Sequence, residues 1–131
     1  MGKKFLIDTC VIVKFLGGDF PDATLNKLEE ILNDHFSISF ITKIELLSFV
    51  SPHPEDIQIR RRFLEMAELL MVNHTIIDSC ILIRQQTKVK LPDTLIAATA
   101  ISHNLTLLSD NDKDFLKVVP LGLSYLNPRQ V

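Results

Sequence analysis

The chain of 131 residues has no run of about 18 apolar residues, the length a helix needs to span a bilayer. A membrane-spanning helix is therefore not expected. A surplus of charge is missing too: 14 Lys and Arg stand against 16 Asp and Glu, a net of −2. A strongly basic nucleic-acid binder is not indicated by that total. Low hydrophobicity is equally absent, with 47% hydrophobic and 23% charged residues, which excludes disorder as a global description. Cysteine is scarce. Cys10 and Cys80 form no C-x-x-C and sit among apolar neighbours, so both read as small hydrophobes. His35, His53, His74 and His103 share no motif and do not suggest a histidine-built metal site. No internal repeat or low-complexity tract is present. The opening Met-Gly-Lys-Lys begins like an export signal, but Asp8 interrupts the apolar stretch, and the cytoplasm is the expected compartment.

What is present is a well-populated apolar core and an alternation of short apolar runs with helical patterns. The length suits one domain, 1–131. Phe5 to Ile7 is a short buried run ending at Asp8. Apolar residues continue from Thr9 to Leu16 and stop at Gly17-Gly18. Leu25, Leu28, Ile31 and Leu32 recur at helical spacing within Asp22 to Leu32. Phe36 to Ile41 reads as a second strand. Thr42 to Val50 reads as a helix whose Thr42-x-x-Glu45 start has the form of a capping box. Pro52 and Pro54 break the chain, and Glu55 to Leu70 reads as a long helix with Ile59, Phe63, Ala67 and Leu70 on one face. Thr75 to Ile77 is expected as a strand, with Asp78 capping a helix through Gln86. Thr94 to His103 is an Ala-rich helix opened by Leu91-Pro92-Asp93, with Asn104 at its end. Leu105 to Leu108 is a strand, Asp110 a cap for a short helix, and Leu121 to Leu126 a last strand. About five strands alternating with helices predict a parallel sheet covered on both faces. The two helices around the double proline, about 42–72, are expected to form an arm.

Carboxylates fall at telling places. Asp8, Glu45 and the group Asp110, Asp112, Asp114 each follow a predicted strand, and Asp93 opens the Ala-rich helix. In an open parallel sheet, positions beyond the carboxyl ends of the strands converge on one crevice. Carboxylates packed together repel, which raises their pKa values or calls for a cation. Oxygen donors without His or Cys suit a hard cation such as Mg²⁺ or Mn²⁺, and phosphodiester hydrolysis is the chemistry such a site does well. Each acid also has a structural use: Asp8 as a strand end, Glu45 in the capping box, Asp93 in a first helical turn, and one or more of Asp110, Asp112 and Asp114 in a solvated cap. Their joint order carries the weight.

With these residues in view, the chain resembles the PIN-domain family, in particular its VapC-type ribonuclease toxins. The resemblance rests on Phe5-Leu-Ile-Asp8-Thr-Cys-Val-Ile-Val, Ile41-Thr-Lys-Ile-Glu45-Leu-Leu, Lys90-Leu-Pro-Asp93-Thr-Leu-Ile-Ala-Ala-Thr99-Ala, Leu107-Leu-Ser-Asp-Asn111-Asp-Lys-Asp114-Phe115 and Leu121-Gly-Leu-Ser-Tyr-Leu-Asn127-Pro128. The third stretch is the most specific. The resemblance implies a three-layer α/β/α sandwich with a central parallel sheet. It also implies a Mg²⁺- or Mn²⁺-dependent endoribonuclease, the toxin of a pair, held by an antitoxin protein and forming a homodimer. It implies Asp8 and Asp93 as metal ligands and Glu45 as a third ligand or the group that orients water. Thr9 would support Asp8, and Asn111 and Asp114 fill the fourth motif. Asp110 and Asp112 add acids the family does not usually have there, so the fourth acid is open; register favours Asp114, then Asp112. Ser109 replaces the commoner Thr.

Other readings stay beside this one. A catalytically weak scaffold that binds RNA or protein is disfavoured because all three primary acids are present. A receiver-like domain needs an acidic pair after the first strand, where only Asp8 stands. A haloacid-dehalogenase-like phosphatase needs Asp-x-Asp, where this chain has Asp8-Thr9-Cys10. Arg60, Arg61 and Arg62 are either a phosphate-contacting patch or a solvated helix face pairing Glu65 or Glu55. Leu46, Phe49 and Phe63 are either internal core or a groove for a partner helix.

Overall fold

The computed structural model describes residues 3–130. Strand β1 (Phe5–Ile7) passes without a loop into α1 (Thr9–Leu16), and α2 (Asp22–Leu32) leads to β2 (Phe36–Ser39). Then come α3 (Phe40–Ser48), α4 (Pro54–Glu65), β3 (Glu68–Leu70), α5 (His74–Gln86) and α6 (Leu91–Ser102). The chain continues through β4 (Thr106–Leu108), α7 (Asp112–Phe115), a 3₁₀ turn (Val119–Leu121), β5 (Ser124–Leu126) and a last 3₁₀ turn (Pro128–Gln130). The strands form one sheet of order β3-β2-β1-β4-β5, every pair parallel.

Side chains alternate across a strand, and here the alternation divides the core in two. Leu6 and Leu107 face one layer with Ile76, Cys80 and Ile83 of α5 and Ile96 to Ala100 of α6. Ile7 and Leu108 face the other, with Val11 and Ile12 of α1, Leu28 and Leu32 of α2, and Leu46 of α3. The result is the expected α/β/α sandwich. The buried alanines Ala97, Ala98 and Ala100 let α6 lie close against the sheet.

Several elements differ from expectation for local reasons. β2 ends at Ser39, whose hydroxyl accepts from the Ile41 amide (3.2 Å) and starts α3 two residues early. Thr42 is therefore inside the helix and builds no capping box. The pattern expected to run as one helix to Leu70 breaks at Met66 and Ala67, whose amides bond Phe63 and Leu64 in a tight last turn. Leu70 is instead the buried residue of β3. The stretch expected as a strand at 75–77 is helix, because Asn73 Oδ1 caps the Ile76 amide (2.9 Å). Asp78 lies inside that helix and is not its cap. Asp110 caps nothing either; α7 begins at Asp112, after Asn111. The first residues expected in β4 and β5 lie outside them, Leu105 as a connector and Leu121 in the 3₁₀ turn.

The residues at about 42–72 do not stand out as an arm. α4 closes on the second core through Phe63, whose ring lies 6.3 Å from Phe15 and 5.3 Å from Phe36. β3 then completes the sheet beside β2. Leu46 and Phe63 are thereby core, whereas Phe49 is exposed beneath the Arg60 guanidinium, 4.4 Å from its ring centre. Arg60 also donates to the Leu46 carbonyl (2.9 Å). No Arg–Glu ion pair forms among the described residues.

Candidate active site

Four carboxylates come from four elements. Asp8 closes β1 and is the N-cap of α1. Glu45 lies in α3, Asp93 in the first turn of α6 and Asp114 in α7. Direct strand-to-helix passages at Asp8 and Ser39 keep the first two at the sheet's carboxyl edge, and the connection 87–90 leading into α6 brings in Asp93. Asp8, Glu45 and Asp93 line one open cavity of about 470 Å³ together with Thr9, Asp110 and Asn111. Cys10 and Lys14 line it as well.

Asp8 is the most enclosed, 4% exposed. Its Oδ1 accepts from the Thr9 amide (2.9 Å), and its Oδ2 accepts from Ser109 Oγ (2.7 Å) and Cys10 Sγ (3.0 Å). Burial still raises its pKa, against those three hydrogen bonds and with help from the Glu45 charge. Thr9 joins two elements: its hydroxyl lies 2.7 Å from Glu45 Oε1 and 3.0 Å from Thr42 Oγ1. Asp93 is held up to about 6, first by burial and then by the charges of Asp8, Asp114 and Glu45. Three carboxylates from three other elements thus bear on Asp93. Asp93 accepts no side-chain hydrogen bond among the described residues, and Asn111 Nδ2 donates to Asp114 Oδ2 (3.1 Å).

The remaining two acids of the fourth motif do other things. Asp112 accepts from Tyr125 Oη (2.6 Å), Asn127 Nδ2 (3.0 Å) and Gln130 Nε2 (3.4 Å), so it ties α7 to β5 and the last turn. These bonds, Tyr125 first, hold its pKa low. Asp110 lines the cavity, but its Oδ2 is taken by Lys14 Nζ (2.6 Å) and Arg129 Nε (3.2 Å). Burial opposes its ionisation, and the Lys14, Cys10 and Arg129 contacts outweigh it and lower its pKa.

Three residues of the site have roles that their local sequence does not signal. Cys10 is not in an apolar setting: its thiol lies 3.0 Å from Asp8 and 3.2 Å from Asp110, and burial followed by the Asp8 charge raises its pKa, so it stays a thiol. Ser109, more than a substitute for Thr, bonds Asp8 across 101 residues of chain. Lys14 looks like any basic residue in a last helical turn. The Arg60–Arg62 cluster lines none of this cavity.

The donors are mainly carboxylate oxygens, the set a hard divalent cation takes. Among the described residues no three His, Cys, Asp or Glu side chains close on a single point as they stand. Burial first, and then the charges of Asp8, Asp114 and Glu45, hold Asp93 up, and a cation among these carboxylates would relieve the second cause.

The family model described as PIN domain matches residues 5–119. A curated relative, Ribonuclease VapC1 of Methanocaldococcus jannaschii, is 30% identical over 126 residues, covering 92% of this chain and 85% of that protein. Among solved structures, a toxin-antitoxin complex from Klebsiella pneumoniae superposes with a TM-score of 0.76 at 26% identity, covering 94% of this chain and 96% of that one. DNA-bound VapBC from Salmonella typhimurium superposes with a TM-score of 0.79 at 23% identity, covering 97% and 99%. That last likeness is one of fold.

Proposed function

The chain belongs to the PIN-domain family, and from that premise we propose that it is a divalent-metal-dependent endoribonuclease, the toxin of a toxin-antitoxin pair. The observation that carries the reading is the convergence of Asp8, Glu45 and Asp93 on one cavity at the carboxyl edge of the sheet, with Asp114 near enough for its charge to bear on Asp93. The relative named as a ribonuclease favours RNA as substrate. The similar toxin-antitoxin complex favours an antitoxin partner.

In this reading Asp8 and Asp93 would hold Mg²⁺ or Mn²⁺, with Asp114 completing the acidic set. When bound, the ion would supply charge neutralisation at the phosphate and a lowered pKa for the attacking water. Ser109 and Thr9 fix Asp8 so that it need not reorganise when substrate arrives. Glu45, oriented by Thr9, is the exposed carboxylate placed to accept a proton from the water. Asp112 stays outside this chemistry.

We also propose a homodimer and an antitoxin segment seated in the groove of Val13, Leu16, Phe49 and Ile59 between α1 and α4. Val13, Phe49 and Ile59 leave apolar surface open there.

The test is cleavage of a mixed tRNA and mRNA pool in Mg²⁺, Mn²⁺ or chelator, beside Asp93→Asn. Cleavage is expected only with the divalent ion and only in the wild type, with the variant folded by circular dichroism. A folded wild type inert in both ions would overturn the ribonuclease reading in favour of a binding scaffold.

A further inference from the structure

The acidic cavity has one cationic edge. Asp110, whose side chain is 7% exposed, receives Lys14 from α1 and Arg129 from the last 3₁₀ turn on the same oxygen, Oδ2. Two cations on one carboxylate leave this cluster one positive charge in excess, at the rim of the cavity that Lys14 and Asp110 line. The positions of both cations are fixed. Lys14 is tied at 2.6 Å, and the Arg129 guanidinium lies over the buried ring of Phe20, 4.7 Å from its centre. Their donors are mostly unspent. An ammonium has three N–H groups and a guanidinium five, and among the described residues each uses a single side-chain bond, to Asp110. Among the described residues, Lys14 is also the single cation lining the cavity.

We propose that Lys14 and Arg129 form the phosphate-docking edge of the site, gripping backbone phosphates of the RNA strand next to the one cut, and that Asp110 is the positioning residue that holds them. This rests on the ribonuclease reading above and assigns Asp110, one of the two acids of the fourth motif that the chemistry leaves unused. A carboxylate pocket repels a polyanion until a cation fills it, so a strand needs a fixed anchor beside it. Phosphate contacts position a strand without reading its bases. Pairing with Asp110 keeps the two cations at the rim, where otherwise they would swing into the carboxylates and compete with the metal.

The test measures binding of a fluorescein-labelled RNA oligonucleotide across a series of NaCl concentrations, with Ca²⁺ in place of Mg²⁺ and the strand checked on a gel for intactness. Wild type, Lys14→Gln, Arg129→Gln, Lys14→Arg and the exposed-lysine control Lys113→Gln are compared, alongside kcat and KM on cleavable RNA. Each removed phosphate contact on a single strand should flatten the slope of log K against log salt by about 0.7. Lys14→Gln and Arg129→Gln should each lose that much and raise KM with kcat nearly unchanged. Lys14→Arg should keep the wild-type slope, as should Lys113→Gln. Equal slopes in all five proteins, with the wild type binding and cleaving RNA, would overturn this proposal alone and point the two cations at a protein carboxylate instead. A wild type that neither binds nor cleaves RNA would overturn it together with the ribonuclease reading.

Discussion

Burial and three neighbouring carboxylates act together on Asp93. It is held at about 6 in the folded protein against 3.8 for the free side chain, so it keeps its proton longer folded than unfolded. The sign follows: its contribution favours the fold below about pH 4 and is lost as pH rises through 6. Asp8, raised by burial, acts in the same direction. Metal-free protein should therefore lose thermal stability between about pH 4 and pH 6.5, and Asp93→Asn should flatten that decline. At pH 7 the variant should be more stable by about 1 kcal/mol, the part of the repulsion left after solvent screening at this half-open position. Melting curves across pH check both; an Asp93→Asn profile parallel to the wild type would contradict the coupling. Ser109 gives a second test. Its hydroxyl fixes buried Asp8 at 2.7 Å, so Ser109→Ala should lower metal affinity or activity about tenfold or more while the far-ultraviolet spectrum is kept.

Elements that bring the acids together are capped where strand meets helix, and those caps decide what could be read in the sequence. Apolar runs around β1, β4 and α6 were legible because each is bounded by a strong signal: Asp8, Ser109-Asp110, or Pro92 before and Asn104 after. Asn104 adopts the left-handed conformation, φ 58°, that suits a residue just past a helix end. β3 was not legible. Three residues hold no periodicity, and Leu70 falls on the same helical stripe as Ile59, Phe63 and Ala67. The cap at Asn73 lies two residues before Thr75, and the β-branched run Thr75, Ile76 and Ile77 has by itself the look of a strand. Asn73→Ala should cost about 1 kcal/mol, with an unchanged denaturant slope, because the Ile76 amide loses its partner. A loss of under a few tenths would mean that packing of Ile76, Cys80 and Ile83 alone starts the helix. Within the site, Asp8, Glu45 and Asp93 were visible by their place after strands or at a helix start. Cys10, Lys14 and Ser109 were not, since their partners Asp110 and Asp8 lie about a hundred residues away along the chain.

Across the whole molecule, the parallel sheet explains why one edge holds the chemistry. All five strands point the same way, so every strand-to-helix junction opens on that edge. The fourth motif is split there into three tasks. Asp114 joins the acidic set, Asp110 holds two cations, and Asp112 anchors β5 and the last turn. The account stands most directly on the claim that Asp8 and Asp93 belong to one divalent-cation site from which Asp112 is excluded. Calorimetric titration of Mn²⁺ into the metal-free protein at pH 7 measures this without reference to activity. The wild type should bind saturably, Asp8→Asn and Asp93→Asn should lose most of that heat, and Asp112→Asn should bind like the wild type if it remains folded. No saturable binding by the wild type, or binding that survives Asp93→Asn and disappears in a folded Asp112→Asn, would contradict the account.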